Sequence, residues 1–277
     1  MTHVNWAQAH AIDSAVSMCV CFWITGRPHV GRRPLAETRM IGPLANSAAL
    51  ILGGAIGAAL SNRIPARVRE RMPLYCGAIA MSIGTFLFSR VHSMPAVAIA
   101  VLAGSILGEL LGAERRVEAG LGLLRIRLQR WLPFAADDPQ SETFAVKFAT
   151  IIALFSISAM GVFGSLEEGI TGDPTILITK AILDFITAGI FATELGLSVG
   201  LIAIPQFLVQ STLLLSAFLI APMVTPFMRA DFSACGGVIM LATGMRICNI
   251  KTFPIINMLP GLLLAMPVSA LWTRFFG

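Results

Sequence analysis

The chain has 277 residues, of which 56% are hydrophobic and only 13% are charged. In soluble domains about a quarter of the residues are charged, so this composition excludes an ordinary soluble protein and indicates several membrane-spanning helices. The net charge is +5, but the basic residues lie between apolar segments and form no continuous stripe. We therefore attribute the basic charge to membrane topology and expect no nucleic-acid partner.

The first 39 residues differ from the rest of the chain. Their apolar run, residues 15–25, is shorter than the roughly 20 residues that span a bilayer, and it lacks the basic start and the cleavage site of a signal peptide. We interpret residues 1–39 as an atypical extension, expect Met40 to be the true start, and treat residues 40–277 as a single transmembrane domain.

Eight apolar segments follow, each long enough for a membrane span: residues 42–60, 73–89, 94–113, 145–164, 175–194, 199–221, 233–249 and 254–272. The seventh is the weakest, so the expected fold is an all-α integral membrane protein with about eight, or seven, spans. Arginines cluster in the loops 61–72 and 114–143, and the positive-inside rule assigns both loops to the cytoplasm.

The segment that follows the third span has a helical pattern. Within residues 114–132, apolar side chains recur at steps of 4, 3, 4 and 3, with arginines around them: Val117, Leu121, Leu124, Leu128 and Trp131. This spacing predicts an amphipathic helix in the cytoplasmic headgroup layer. A helix packed against the underside of the protein would have the same pattern.

The sequence contains a possible internal repeat of three spans. Cys76–Met81 (CGAIAM) resembles Cys235–Met240 (CGGVIM), which pairs residues 40–113 with residues 199–272 around a central helix pair, residues 144–197. Because the two repeats start on opposite sides of the membrane, this 3+2+3 plan is inverted, as in many secondary transporters. Chance similarity between glycine-rich helices is the alternative.

The fifth span contains two charged residues, Lys180 and Asp184, four positions apart and therefore on one helix face. A charge at the centre of a span costs on the order of 2.5 to 3.5 kcal/mol on insertion scales, so it usually has a partner or faces water. The pair is a candidate binding site for an ion or a solute. A buried ion pair that only locks the helix is the structural alternative.

Polar residues of other spans are candidates for the lining of the same pathway: Asn46, Ser156, Ser158 and Gln210. Asn46 and Gln210 hold corresponding positions in the two repeats, so both amides could reach a ligand at a shared axis. The pathway would lie between the first, fourth, fifth and sixth spans. Interhelical hydrogen bonds, each worth about 0.6 kcal/mol, are the alternative role.

An acidic segment separates the fourth and fifth spans. Glu167, Glu168 and Asp173 are candidates for an outer mouth that collects cations before they reach Asp184. In the alternative, Asp173 is simply the N-cap of the fifth span, with Pro174 as its first helical residue.

Several longer motifs link the chain to a known family: Met40–Leu60 (MIGPLANSAALILGGAIGAAL), Arg63–Glu70, Ala103–Glu118, Ser158–Ala192 and Asn257–Pro267. With these motifs, residues 40–277 resemble the bacterial YqgA/YdfK family of uncharacterised multi-pass inner-membrane proteins (domain of unknown function 554). The resemblance implies a location in the bacterial inner membrane. This family has no agreed activity, so the resemblance implies no catalytic or ligand-binding residues.

Enzymatic motifs are missing from the sequence, which has no phosphate-binding loop, no H-E-x-x-H and no G-x-S-x-G. We expect no enzyme, no cofactor and no metal site. The favoured function is a secondary transporter or channel for a small solute or ion, and the alternative is a non-transporting scaffold or sensor that acts through a protein partner. Expected partners are the lipid bilayer and the solute or ion, with a homo-oligomer as a further option.

Overall fold

A computed structural model describes residues 40–61, 63–120, 123 and 139–276. Within these residues the regular structure is helical, without strands. The first 39 residues, and residues 121–132 of the predicted interfacial helix apart from Leu123, lie outside the described residues; residues 113–120 are helical. The helices are α1 (Ile41–Ala59), α2 (Ala66–Phe88), α3 (Met94–Leu111), α4 (Pro139–Ser156), α5 (Ala159–Thr171), α6 (Thr175–Leu195), α7 (Ala203–Ile220), α8 (Pro226–Ile247), α9 (Ile255–Met258) and α10 (Pro260–Phe276).

Six segments of the described chain are long and apolar enough to cross a membrane: Ile41–Ala59, Ala66–Phe88, Met94–Leu111, Lys147–Thr171, Thr175–Met223 and Ile255–Phe276. The fifth of these contains both α6 and α7, which a 3-10 helix (Gly196–Ile202) joins. α8 is not in this set, and its 22 residues include Arg229, Asp231 and Arg246. Large apolar side chains such as Leu110, which is 81% exposed, cover the outer surface, as expected for helices that face lipid.

The predicted fourth span, residues 145–164, is not one continuous helix. α4 ends at Ser156 and α5 begins at Ala159, with Ser158 in an extended conformation between them (φ −89°, ψ 143°). The Ser158 hydroxyl accepts a hydrogen bond from the Gly161 N–H at 3.0 Å, so it caps the new helix. The predicted fourth span overlaps the candidate span Lys147–Thr171, and the structure adds a break that the continuous apolar pattern of the sequence did not reveal.

The turn between α5 and α6 is tight. Gly172 has a positive φ of 73°, a conformation that glycine adopts without steric cost. The Asp173 carboxylate accepts a hydrogen bond from the Thr175 N–H at 3.0 Å, as expected for a capping residue. α6 begins at Thr175, as the predicted span 175–194 does, and Pro174 precedes the helix instead of being its first residue.

Glycines bring four pairs of helices into close contact and reveal their relative directions. A Cβ atom on Gly53 would lie 2.4 Å from the Phe185 carbonyl oxygen, and one on Gly57 would lie 2.1 Å from that of Gly189. Because these contacts advance together along both helices, α1 and α6 run parallel. α5 and α7 are also parallel, since Gly161 is close to Gln210 and Gly169 is close to Leu214.

The other two pairs are antiparallel. α2 and α8 meet where Gly84 contacts Gly237 and where Gly77 contacts Gly244, so the contacts advance along one helix and recede along the other. α3 packs in the same antiparallel sense against α9 and α10, with Gly104 against Gly261 and Gly108 against Asn257. These close contacts depend on small residues, as is usual between helices in membranes.

Candidate functional site

Buried polar side chains from four parts of the fold meet in one region, which we call the polar centre. α1 contributes one amide, the break between α4 and α5 two hydroxyls, α6 an ion pair and α7 two amides: Asn46, Ser156, Ser158, Lys180, Asp184, Gln206 and Gln210. Ser158 is half-buried and the others are buried. Contacts connect five of the six residues that the sequence nominated for the pathway, and Gln206 is added by the structure. The sixth, Ser156, is buried two residues before Ser158.

Lys180 and Asp184 form the charged part of the polar centre. The Lys180 Nζ donates a hydrogen bond to the Asp184 carboxylate one helical turn away, and their side chains are 3% and 12% exposed. The Gln206 amide donates to the same carboxylate oxygen at 3.0 Å, which ties α7 to α6. The Asn46 side chain lies beside this carboxylate, although neither of its amide atoms makes a hydrogen bond of standard geometry to a described residue.

The Lys180 side chain, on α6, also lies next to the first turn of α5. A Cβ atom on Gly161 would be 3.0 Å from the Lys180 Cε and 3.3 Å from the Gln210 Nε2, so the absence of a side chain at Gly161 lets both residues approach the helix. The first turn of a helix carries unpaired N–H groups and a partial positive charge. The polar centre therefore has a positive end at Lys180 and α5 and a negative end at Asp184.

Six buried atoms of the polar centre make no hydrogen bond of standard geometry to a described residue. They are both amide atoms of Asn46 and of Gln210, the Oε1 of Gln206 and the hydroxyl of Ser156. Nearly all buried polar groups in native proteins have a partner, and each one left without costs about 1 to 3 kcal/mol. These atoms are free to bond to a solute, an ion or water.

The three carboxylates of the predicted outer mouth have separate partners. Glu168 is buried, and its two oxygens accept the Gly42 N–H at 3.1 and 3.2 Å in the first turn of α1. Glu167 accepts a hydrogen bond from the Ser233 hydroxyl at 3.4 Å, and Asp173 is exposed at the turn before α6. Glu168 therefore joins α5 to the start of α1, and the cation-collecting mouth stays a prediction.

Gln206 and Asp231 are among the buried polar residues that sequence reasoning did not nominate. Gln206 lies four positions before Gln210 and shares its helix face, which the sequence could have shown. Asp231 is fully buried and accepts hydrogen bonds from the N–H groups of His92 and Ser93, at 3.0 and 2.7 Å, and from the Ser269 hydroxyl. It caps α3 from α8, and it was missed because it precedes the predicted seventh span. Within the described part of the chain no three His, Cys, Asp or Glu residues are grouped closely enough to hold a metal.

Comparisons with known proteins identify relatives over most of the chain. A family model described as "Protein of unknown function (DUF554)" matches residues 41–270. The Escherichia coli (strain K12) protein "Uncharacterized protein YqgA" is 46% identical over 237 residues, which cover 86% of this chain and 99% of the relative. The Bacillus subtilis (strain 168) protein "Uncharacterized membrane protein YdfK" is 25% identical over 243 residues, with the same two coverages.

No solved structure matches the chain. The name of the Bacillus relative and the apolar helices of this chain agree on a membrane location. The resemblance seen in the sequence is confirmed, and the chain belongs to the DUF554 family.

Proposed function

We propose that the protein is a secondary transporter or channel for a small solute or ion, with the polar centre as its binding site. The observation that carries this proposal is the set of buried amide and hydroxyl groups without partners beside the Lys180–Asp184 pair. Ser156 lies at the break between α4 and α5, and the Gln210 amide lies near the first turn of α5. Broken helices are tolerated at membrane depth where they are buried in protein or line a cavity, and in transporters they commonly form the substrate site.

The helix directions support an arrangement of eight spans, with α4 and α5 together as the fourth. Two spans run antiparallel when an even number of spans lies between them in the sequence, and parallel when an odd number does. The parallel pairs α1–α6 and α5–α7 and the antiparallel pairs α2–α8 and α3–α10 all fit this rule when α8 counts as the seventh span. Without α8 as a span, α3 and α10 would run parallel, contrary to the contact of Gly104 with Gly261 and of Gly108 with Asn257.

The contacts also support an inverted repeat of α1, α2 and α3 with α7, α8 and α10. α1 packs parallel to α6, and its counterpart α7 packs parallel to α5. A two-fold rotation that exchanges α2 and α8 would place Gly77 on Gly237 and Gly84 on Gly244. The contact of Gly84 with Gly237 would then coincide with the contact of Gly77 with Gly244. This register differs by one residue from the sequence prediction, which paired Gly77 with Gly236.

The charge of the polar centre restricts what it can bind. Lys180 and Asp184 compensate each other, so a single extra ion would leave an unpaired charge in a buried site, which is costly. The unpartnered amides offer both donors and acceptors. We infer that the ligand is a small polar molecule without net charge, or an ion that moves together with a counter-charge.

Thermal stability of the purified full-length chain tests the proposal. The protein is heated in detergent with amino acids, organic anions, metal ions and alkali cations, each at several pH values. A ligand at 100 times its dissociation constant stabilises the folded state by about 2.7 kcal/mol. We expect one class to raise the melting temperature, and we expect Asp184→Asn and Lys180→Met to abolish the increase.

Thr212→Val is the matched control, because Thr212 is exposed on α7 two residues from the buried Gln210. We expect Gln210→Leu to abolish the ligand-induced increase in melting temperature and Thr212→Val to keep it. The proposal is wrong if no compound stabilises the protein and if Asp184→Asn and Lys180→Met leave both folding and uptake unchanged. The scaffold or sensor alternative relies on residues 114–132, and no feature of the described residues specifically favours it.

A further inference from the structure

A stripe of side chains on α6 leads from the polar centre to one end of the helix. Its members recur at steps of 4, 3, 4 and 3, so they share a helix face: Lys180, Asp184, Thr187, Phe191 and Glu194. Exposure rises along the stripe, because the first two are buried, the next two are half-buried and the Glu194 side chain is 53% exposed. Four of the five residues are polar, which is unusual for a face that only packs within a membrane.

A cavity of about 390 Å³ opens between α2 and α6 at the same end of the stripe. Its lining combines charged and apolar side chains: Ala66, Arg69, Glu70, Pro73, Thr187, Ile190, Phe191 and Glu194. Thr187 is therefore shared by the stripe and the cavity. Its hydroxyl lies 3.9 Å from the Cys76 thiol, and Cys76 is within electrostatic range of Asp184. The cavity thus reaches to within one helical turn of the polar centre.

Charged side chains surround the opening of the cavity. Arg69 donates a hydrogen bond to the Thr193 hydroxyl at 3.4 Å, and Glu194 pairs with Lys147 at 2.8 Å. Arg69 and the cavity lie at the start of α2, in the arginine-rich segment 61–72, of which residues 66–72 are helical and not the loop that the sequence predicted. A charged rim of this kind suits water and hydrophilic solutes better than lipid chains.

The opposite end of α6 is closed by packing. Leu177 is fully buried three residues before Lys180. A Cβ atom on Gly42 would lie 2.5 Å from its Cδ1, and one on Gly164 would lie 3.0 Å from its Cδ2. The buried Glu168 carboxylate holds the Gly42 N–H in place. An apolar layer, fixed by a buried carboxylate, therefore separates Lys180 from that side.

We propose that a small hydrophilic solute reaches the polar centre from the side that bears the segment 61–72, through the cavity between α2 and α6. The layer of Leu177, Gly42 and Glu168 is then the closed gate on the other side. This inference rests on the proposed transport function and adds to it the route and side of access, and a size limit set by the cavity. The structure corresponds to the state that is open toward the arginine-rich segment.

Cysteine labelling in membrane vesicles tests the route. Thr187→Cys and Ile186→Cys are placed in a background without the five native cysteines and treated with a charged, membrane-impermeant thiol reagent. Ile186 is the matched control, because it neighbours Thr187 but is exposed on the outer, lipid-facing side of α6. Vesicles of both orientations are used, and labelling of Arg67→Cys and Asp173→Cys, both exposed, identifies which face is accessible.

We expect Thr187→Cys to react at least about tenfold faster from the face marked by Arg67→Cys than from the other face, and about tenfold faster than Ile186→Cys, since thiol reactivity follows exposure to water. If the background does not fold, native Cys76 replaces Thr187→Cys, with fully buried Cys235 as the control, and alkylation of each is measured by mass spectrometry. Equal rates for Thr187→Cys and Ile186→Cys, or faster reaction from the Asp173→Cys face, would overturn the route.

The labelling result and the proposed function fail separately, because labelling needs no ligand. Fast labelling of Thr187→Cys would support the route even if no compound stabilises the protein and Asp184→Asn and Lys180→Met leave folding and uptake unchanged, the result that contradicts transport. Slow labelling in a protein whose ligand-induced stabilisation depends on Asp184 would contradict the route and leave the function intact.

Discussion

Replacing Lys180 by methionine should strongly destabilise the protein. Met keeps most of the apolar length of the side chain but removes the ammonium group. The Asp184 carboxylate, 12% exposed, then has Gln206 as its remaining hydrogen-bond donor of standard geometry among the described residues. Removing one partner of a buried ion pair costs about 3 to 5 kcal/mol. At roughly 2 to 4 °C per kcal/mol for a chain of this size, the melting temperature should fall by about 6 to 20 °C.

The assay is the loss of monodisperse protein in size-exclusion chromatography after heating in detergent. Lys180→Met/Asp184→Leu removes both charges and should recover most of the loss, because replacing a whole buried pair by apolar residues is often neutral or stabilising. Lys147→Met is the matched control. It breaks the Lys147–Glu194 pair, whose side chains are 51% and 53% exposed, and such exposed pairs contribute only about 0.2 to 1 kcal/mol.

Two results would refute this reasoning. If Lys180→Met and Lys147→Met melt at the same temperature, Lys180 and Asp184 are hydrated and the polar centre is not a low-dielectric site. If the double variant is as unstable as Lys180→Met, the loss comes from side-chain packing, and the unpaired charge does not explain it.

Three further substitutions test the packing and capping contacts, each by melting temperature. Gly57→Ala should cost about 3 kcal/mol or more, because the new Cβ would lie 2.1 Å from a backbone carbonyl oxygen of α6. Glu168→Gln should cost about 1 kcal/mol, because it removes a negative charge from the N-terminal end of α1. Asp231→Ala should cost about 3 kcal/mol, because two N–H groups at the start of α3 and the hydroxyl of Ser269 lose their acceptor.

Exposed residues of the same types serve as controls for these substitutions. Gly120→Ala should change stability by less than about 0.5 kcal/mol, because nothing lies within 4 Å of the position of its Cβ. Glu118→Gln, at an exposed position, should be equally mild. Asp173→Ala removes only the exposed cap of α6 and should cost about 1 kcal/mol. If a buried substitution costs no more than its control, the contact assigned to it makes no net contribution.

Helix content and the composition of the polar centre follow from local features of the sequence. Apolar blocks as long as a bilayer is thick predict the helices, and four-residue spacing predicts that Lys180 and Asp184 share a face, which the structure shows as a hydrogen-bonded pair. Polar residues inside apolar segments are few, so Asn46, Ser156 and Gln210 could be nominated individually. They lie together because a buried polar group is stable only near other polar groups or a ligand.

The sequence by itself determined that the chain is helical, suited to a membrane and related to the DUF554 family, because these properties depend on composition, helical period and motif. Only the tertiary structure decided that the fourth span breaks at Ser158 and that Glu168 caps a helix 126 residues away in sequence. The apolar pattern is the same on both sides of a break, and the partner of a buried carboxylate depends on which helices pack together. Those contacts are set by the three-dimensional arrangement of the glycine-lined helix faces.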